Sequence, residues 1–227
     1  MSLLAVVVPA HNEEATIAEL LDRIGAVRVA GAELRVFVID DGSTDGTARI
    51  SRERGATVIS HPVNQGLGAA LRTGLRVAVA AGAEAVVYLD ADLEYYPEDI
   101  PAVVAPVLEG RAEYVLGSRF LGGVRGMKPY RWIGNHAFTA LLCLLTGQWM
   151  TDGQTGMRAF SRKAAQEAEI VHDYNYAQVL TLDLLRKGFV MREVPIRYSV
   201  RRHGRSFINW RYPAKVLPAM WRELRSP

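Results

Sequence analysis

A chain of 227 residues, 49% hydrophobic and 22% charged, carries enough apolar side chain for one sizeable core and too much for a disordered or low-complexity chain. Its 20 Gly and 10 Pro are ordinary, and a single Cys, Cys143, excludes an internal disulfide and a cysteine-based metal cluster, as fits a reducing compartment. The net charge of +3 is unevenly spread: nine Lys or Arg and two acids lie between Met191 and Pro227, so that stretch carries +7 and everything before it −4.

The first eight residues, Met1 to Val8, hold no basic residue and run straight into Pro9-Ala10-His11-Asn12, unlike a signal peptide. Short β-branched runs at 5–8, 35–39, 57–59, 85–89 and 114–116 alternate with helical patterns near 14–27, 45–54, 66–81 and 97–109. Apolar strands alternating with helices predict an α/β fold, a mostly parallel sheet covered on both faces. Further along, 130–145 is amphipathic and is followed by a loop over 151–158, helices near 161–168 and 174–186, and a strand at 190–194. An Arg-rich stretch at 197–205 and a final segment at 210–224 mixing Trp and Tyr with Arg and Lys close the chain. No repeat or linker divides it, so a single domain over 1–227 is expected. The run 137–145, interrupted by Thr139, is far short of the roughly 20 apolar residues of a membrane span. A basic tail on an acidic body points to an anionic ligand or surface, and the tail has no recognisable nucleic-acid motif, so no nucleic-acid partner is expected.

In parallel α/β sheets ligands lie beyond the carboxyl ends of the strands. Four polar clusters fall there: His11-Asn12-Glu13, Asp40-Asp41, Asp90-Ala91-Asp92 and Gly117-Ser118-Arg119. Asp90 and Asp92, with Glu94, have no counter-cation near them in sequence, and an all-oxygen set suits magnesium or manganese. In Asp40-Asp41-Gly42-Ser43-Thr44, a turn and a helix cap account for the last three residues but not for two like charges at the end of a buried strand. A carboxylate accepting from a ribose or base would account for one of them. Asn12 and Glu14 read as a helix start, and His11 reads either as structural or as a stacking surface for a base. Asn64-Gln65-Gly66-Leu67-Gly68 matches neither G-x-G-x-x-G nor a P-loop, and its glycines are expected to allow close helix–sheet packing.

These motifs, in this order and spacing, together with Asp152-x-x-Thr155-Gly156-x-Arg158-Ala159-Phe160, Glu193-Val194-Pro195-Ile196 and Arg201-x-x-Gly204-x-Ser206, resemble family 2 glycosyltransferases of the GT-A fold. The match runs from about Leu4 to Ser206 and is most similar to the branch of polyprenyl-phosphate hexose transferases that includes dolichol-phosphate mannose synthase. The resemblance implies a Rossmann-like, mixed, mostly parallel sheet flanked by helices, with C-terminal amphipathic helices. It implies a nucleotide-sugar half over 1–120 and an acceptor half over 121–227. Pro9, Ala10, His11, Glu13, Asp40 and Asp41 would hold base and ribose, and Asp90, Ala91, Asp92 and Glu94 would surround the metal and the donor's diphosphate. Arg119 would meet a phosphate, and Arg131, Asn135, Arg201 and Ser206 would take the acceptor phosphate. The chain departs from the family at four of its positions. His11 stands where Tyr is usual, Glu94 where Gln is frequent, Asn135 where Ser is common, and Phe207 where a Lys often follows the Gly-x-Ser motif.

The implied reaction is inverting, metal-dependent transfer of a hexose from a GDP-mannose- or UDP-glucose-type donor to a polyprenyl or dolichyl phosphate. Charge developing on the leaving diphosphate would be met by metal, Asp92-side ligands and Arg119. A lipid phosphate is already anionic and needs no general base; a hydroxyl acceptor would need one, and Asp152 is the candidate, though it reads equally as a loop organiser. Two alternatives stay open, a soluble enzyme glycosylating a small-molecule or protein hydroxyl and a nucleotide-sugar-binding subunit without activity. The amphipathic 130–145 and 210–224 segments fit a cytoplasmic protein lying peripherally on the membrane surface.

Overall fold

The computed structural model describes residues 2–171, 173 and 176–200. Arg201, Ser206 and the 210–224 segment lie outside the described residues. Seven strands form one sheet: β1 (Ser2–Ala10), β2 (Ala32–Asp40), β3 (Thr57–Ser60), β4 (Ala85–Leu89), β5 (Tyr114–Ser118), β6 (Met157–Ser161) and β7 (Met191–Pro195). Their order is β3-β2-β1-β4-β6-β5-β7. Every neighbouring pair is parallel except those of β6, which runs antiparallel to both β4 and β5. This is the mixed, mostly parallel sheet expected from the sequence.

The central strands are apolar on both faces because helices cover both. Ala5, Val7, Val86 and Tyr88 point to one side, into a core closed by α3 (Leu67–Ala80), α7 (Arg162–Glu167), α8 (Ala177–Arg186) and Leu142 of α6 (Pro129–Thr146). Leu4, Val6, Val8, Val87 and Leu89 point to the other, against α1 (Ile17–Ala26) and α4 (Ile100–Leu108). Each such Leu, Val or Ile, fully shielded from water, contributes about 1.5–3 kcal/mol, so the two faces fix strand register and helix placement together. The short helices α2 (Thr47–Glu53) and α5 (Arg119–Gly122) follow β2 and β5.

β6 corrects the expected loop over 151–158, whose last two residues begin a central strand. The segment Met-Arg-Ala-Phe-Ser has no β-branched residue and carries a charge at its second position, so its composition is a weak strand signal. Arg158 is nonetheless wholly buried, donating to the Thr155, Ala177 and Gly153 carbonyls, to Thr181 Oγ1 and to Tyr114 Oη. Because β6 is antiparallel, with Met157 opposite Leu89, the residues before it arrive at the same edge as the carboxyl ends of β2, β1, β4 and β5. One sheet edge therefore receives five chain segments.

Candidate functional site at the sheet edge

At the β1–β2 end, Pro9 and Ala10 are buried in the last turn of strand, and Ala10 pairs with Asp40. Asp40 Oδ1 accepts from the Ser43 amide at 3.0 Å. Asp41 behaves otherwise than a ribose ligand: Oδ1 accepts from Gln65 N at 2.9 Å and sits 2.7 Å from His61 Nδ1, and Oδ2 accepts from Gly66 N at 2.8 Å. The doubled Asp thus has a structural account, with Asp41 folding the 61–66 loop against β2. Gly66 sits at φ 97°, and a Cβ there would stand 2.5 Å from the Asp173 carbonyl oxygen, so its glycine serves this loop and not helix–sheet packing. His11 Nδ1 lies 2.8 Å from the Asp41 carbonyl oxygen. Asn12, in the left-handed region at φ 54°, accepts from Thr44 N and receives no cap role on α1. Glu13 donates its amide to Thr47 Oγ1 and accepts from Thr16 Oγ1 at 3.0 Å.

At the β4 end Asp90 and Asp92 follow one another across buried Ala91. Tyr88, fully buried, donates its hydroxyl to Asp90 Oδ1 at 2.5 Å, and burial, then the nearby Asp90 charge, push its phenol well above the usual range, so it remains a donor. The other side of Asp90 is set by Gly156: a Cβ there would stand 1.9 Å from Asp90 Oδ2. Gly156 N in turn donates to Tyr95 Oη at 2.7 Å. Leu93 is left-handed at φ 60°, turning the chain so that Glu94 N donates to Asp92 Oδ1 at 3.0 Å.

Glu94 does not join Asp90 and Asp92 as a third carboxylate of the set, because it is taken up by Arg131. It is 4% exposed, and both its oxygens accept from Arg131 of α6, at 2.9 and 3.2 Å. Among the described residues no group of three or more His, Cys, Asp or Glu is gathered as a metal cage. What the chain offers at β4 is a pair of carboxylates, which fits a hard divalent cation that keeps waters and shares a diphosphate better than one enclosed by protein.

At the β5 end, Arg119 is 2% exposed and Asp152 fully buried. Arg119 Nε and Nη2 donate to Asp152 Oδ2 and Oδ1 at 2.7 and 2.8 Å, and the Arg119 and Gln154 amides donate to the same carboxylate. Of the two roles open to Asp152, this geometry supplies the organiser's: four N–H groups converge on its two oxygens, a poor setting for a base. Glu193 of β7 anchors the loop, accepting from Thr151 N, Thr151 Oγ1 and Asp152 N, and burial raises its carboxyl above the ordinary value. Asn135 stands one turn after Arg131 on α6, buried, with its amide directed at Met127 Sδ.

The structure therefore brings Asp90, Asp92, Glu94, Arg119, Arg131 and Asp152 to one edge, beside Asp40 and His11. The sequence reading assigned no role to Tyr88, Tyr95 or Tyr198. The signal for Tyr88 was present: a Tyr two residues before Asp90 on a strand shares its face.

Comparison with known proteins identifies the family and the fold. A family model described as glycosyl transferase family 2 matches residues 5–168. The dolichyl-phosphate hexose transferase of Haloferax volcanii is 33% identical over 198 residues, covering 87% of this chain and 83% of that one. The UDP-N-acetylglucosamine–dolichyl-phosphate N-acetylglucosaminyltransferase of Methanococcus voltae is 32% identical over 181 residues, 71% of this chain and 70% of that one. Among solved structures, glucosyl-3-phosphoglycerate synthase from Mycobacterium tuberculosis in complex with Mn2+, UDP-glucose and phosphoglyceric acid superposes with a TM-score of 0.79 at 25% identity, over all of this chain and 81% of that one.

Proposed function

The chain belongs to glycosyl transferase family 2, and from that premise we propose that it transfers a hexose, with inversion, from a nucleoside-diphosphate sugar to a polyprenyl phosphate. The observation that carries this reading is the meeting, at one sheet edge, of a carboxylate pair that follows β4 with two arginines, one from α5 and one from α6. Asp90 and Asp92 would hold magnesium or manganese, which supplies charge neutralisation for the donor's diphosphate. Tyr88 and Gly156 fix the Asp90 carboxylate from two sides, so it is oriented before any ligand arrives. Arg119, locked by Asp152, presents a fixed cation where the leaving diphosphate and the acceptor phosphate approach each other, and fixed charges cost no reorganisation as the bond breaks.

His11, Asp40 and the loops that follow β1 and β2 would contact base and ribose. Arg131, one helical turn from Asn135, would receive the acceptor phosphate, with Arg201 and Ser206 as further candidates. A phosphate acceptor is its own nucleophile, in keeping with Asp152 being spent on Arg119. The tail's positive charge supports peripheral attachment at the cytoplasmic membrane surface. A second reading, a small soluble phosphate monoester as acceptor, draws on the phosphoglyceric acid bound by the M. tuberculosis synthase.

The test has two stages. GDP and UDP are titrated calorimetrically with and without manganese; one nucleotide should bind in a metal-dependent way, and Asp92→Ala should abolish that binding. The matching labelled nucleotide sugars are then offered with polyprenyl phosphate or with 3-phosphoglycerate. Transfer to the lipid is expected. Transfer to phosphoglycerate alone installs the second reading, and no nucleotide binding with metal present defeats both.

A further inference from the structure

The segment after β7 is stitched to the turn that carries Asp92 and Glu94. Tyr198 forms an antiparallel bridge with Tyr95, Ser199 N donates to the Glu94 carbonyl at 2.9 Å, and Ser199 Oγ donates to the Leu93 carbonyl at 2.8 Å. Tyr198 is thereby delivered to the middle of the charged cluster. Its ring lies under the Arg119 guanidinium, 5.6 Å from centroid to Cζ. The charged groups acting on its phenol are Glu94, Arg131, Arg119 and Asp92, two of each sign and all belonging to the proposed site. Burial raises the phenol above its ordinary value, so the group carries its proton at neutral pH.

Yet the hydroxyl is buried and, among the described residues, makes no hydrogen bond. Buried polar side-chain atoms nearly always have a partner, and the exceptions call for an explanation. A tyrosine whose ring lies against the Arg119 guanidinium, whose backbone is bridged to Tyr95 and whose buried hydroxyl, within reach of the Arg119 and Arg131 charges, has no partner among the described residues is arranged to donate to something that those arginines also bind. With two guanidinium groups converging, that partner is an anion with several acceptor oxygens.

We infer that Tyr198 is a third donor of the acceptor subsite, its hydroxyl hydrogen-bonding a phosphate-monoester oxygen shared with Arg119 and Arg131. The inference rests on the glycosyltransferase reading and adds a residue to it. A lipid phosphate and a soluble phosphate ester offer the same dianionic headgroup, and the hydroxyl serves either.

Tyr198→Phe keeps the ring beneath Arg119 and deletes only the donor. The wild type and this variant, loaded with manganese and the nucleotide that binds, are titrated with farnesyl phosphate and separately with 3-phosphoglycerate, with farnesol as the uncharged control. Affinity for the phosphate ester that binds should fall about tenfold in the variant, since a hydrogen bond to a charged group is lost. Nucleotide affinity should stay unchanged, and in turnover the loss should lie in the acceptor KM and not in the donor KM. Equal affinity of wild type and variant overturns the assignment to Tyr198, as does an equal loss of nucleotide affinity, which marks a general packing role. A wild type that binds nucleotide but neither phosphate ester defeats the acceptor reading, and the inference with it.

Discussion

Arg119 and Asp152 show how one buried pair ties stability to chemistry. Both are shielded from water, joined by two side-chain hydrogen bonds, and held from behind by Glu193 through the 151–152 backbone. Truncating one partner leaves the other charge buried and uncompensated, at a cost of about 3–5 kcal/mol. For a chain of this length each kcal/mol lowers the melting temperature by roughly 2–4 °C. Asp152→Ala should therefore melt roughly 10 °C below wild type by circular dichroism, whereas Arg119→Met with Asp152→Leu, which removes both charges, should recover much of that loss. Transfer should be absent from both, because the fixed cation is lost or misplaced. A wild-type melting temperature for Asp152→Ala would mean that the pair is open to water in solution. Tyr88 and Gly156 set Asp90 in the same spirit, by contact with one carboxylate from each side.

At the scale of elements, the turn after β4 and the first turn of α6 are coupled through Glu94 and Arg131. While the two hold each other, Arg131 is engaged by Glu94, so an acceptor phosphate taken up by Arg131 would compete with Glu94. Glu94→Gln keeps the shape and removes the charge. It should lower the acceptor KM at least severalfold, since a charge that holds a largely buried guanidinium is removed, and initial rates at saturating donor read this directly. An unchanged or raised KM would mean that Glu94 positions Arg131 instead of competing for it. The same region shows what the sequence could and could not express. β1 and β4 were legible because strands buried on both faces must be continuously apolar, and their carboxyl ends marked the site. β6 was hidden because its fitness for the sheet lies in what surrounds Arg158: three carbonyls, two hydroxyls and the rings of Tyr114 and Tyr176. Those partners come from 114–118, 153–155 and 176–181, and no local pattern announces them. The partners of Asp41 were hidden for the same reason, since the amides that satisfy it belong to residues 65 and 66.

At the scale of the molecule, the described surface has a second apolar feature besides its cores. The amphipathic pattern over 130–145 places Phe138, Leu141, Leu142 and Leu145 against the protein. The opposite face of α6 is apolar as well: Tyr130, Ile133, Ala137, Ala140 and Leu144, spaced by three and four residues, are all exposed. Leu144 is 80% and nearby Trp149 84% exposed. Single exposed apolar residues need no explanation, but an uninterrupted stripe along four turns of helix does. No helix among the described residues is long and apolar enough to cross a membrane, so a bilayer contact would be made by a helix lying along the interface. The enzyme should then sediment with vesicles containing anionic lipid, through the stripe and the basic tail together. Leu144→Glu with Trp149→Glu should cut the bound fraction severalfold while leaving nucleotide binding and melting temperature unchanged, because neither side chain is packed. Raising salt should weaken binding of the wild type further, as screening removes the tail's share. If the charged variants sediment as well as the wild type, the stripe is not the membrane-facing surface; if the wild type stays in the supernatant at low salt, the attachment itself is refuted, and the soluble phosphate ester becomes the acceptor to pursue.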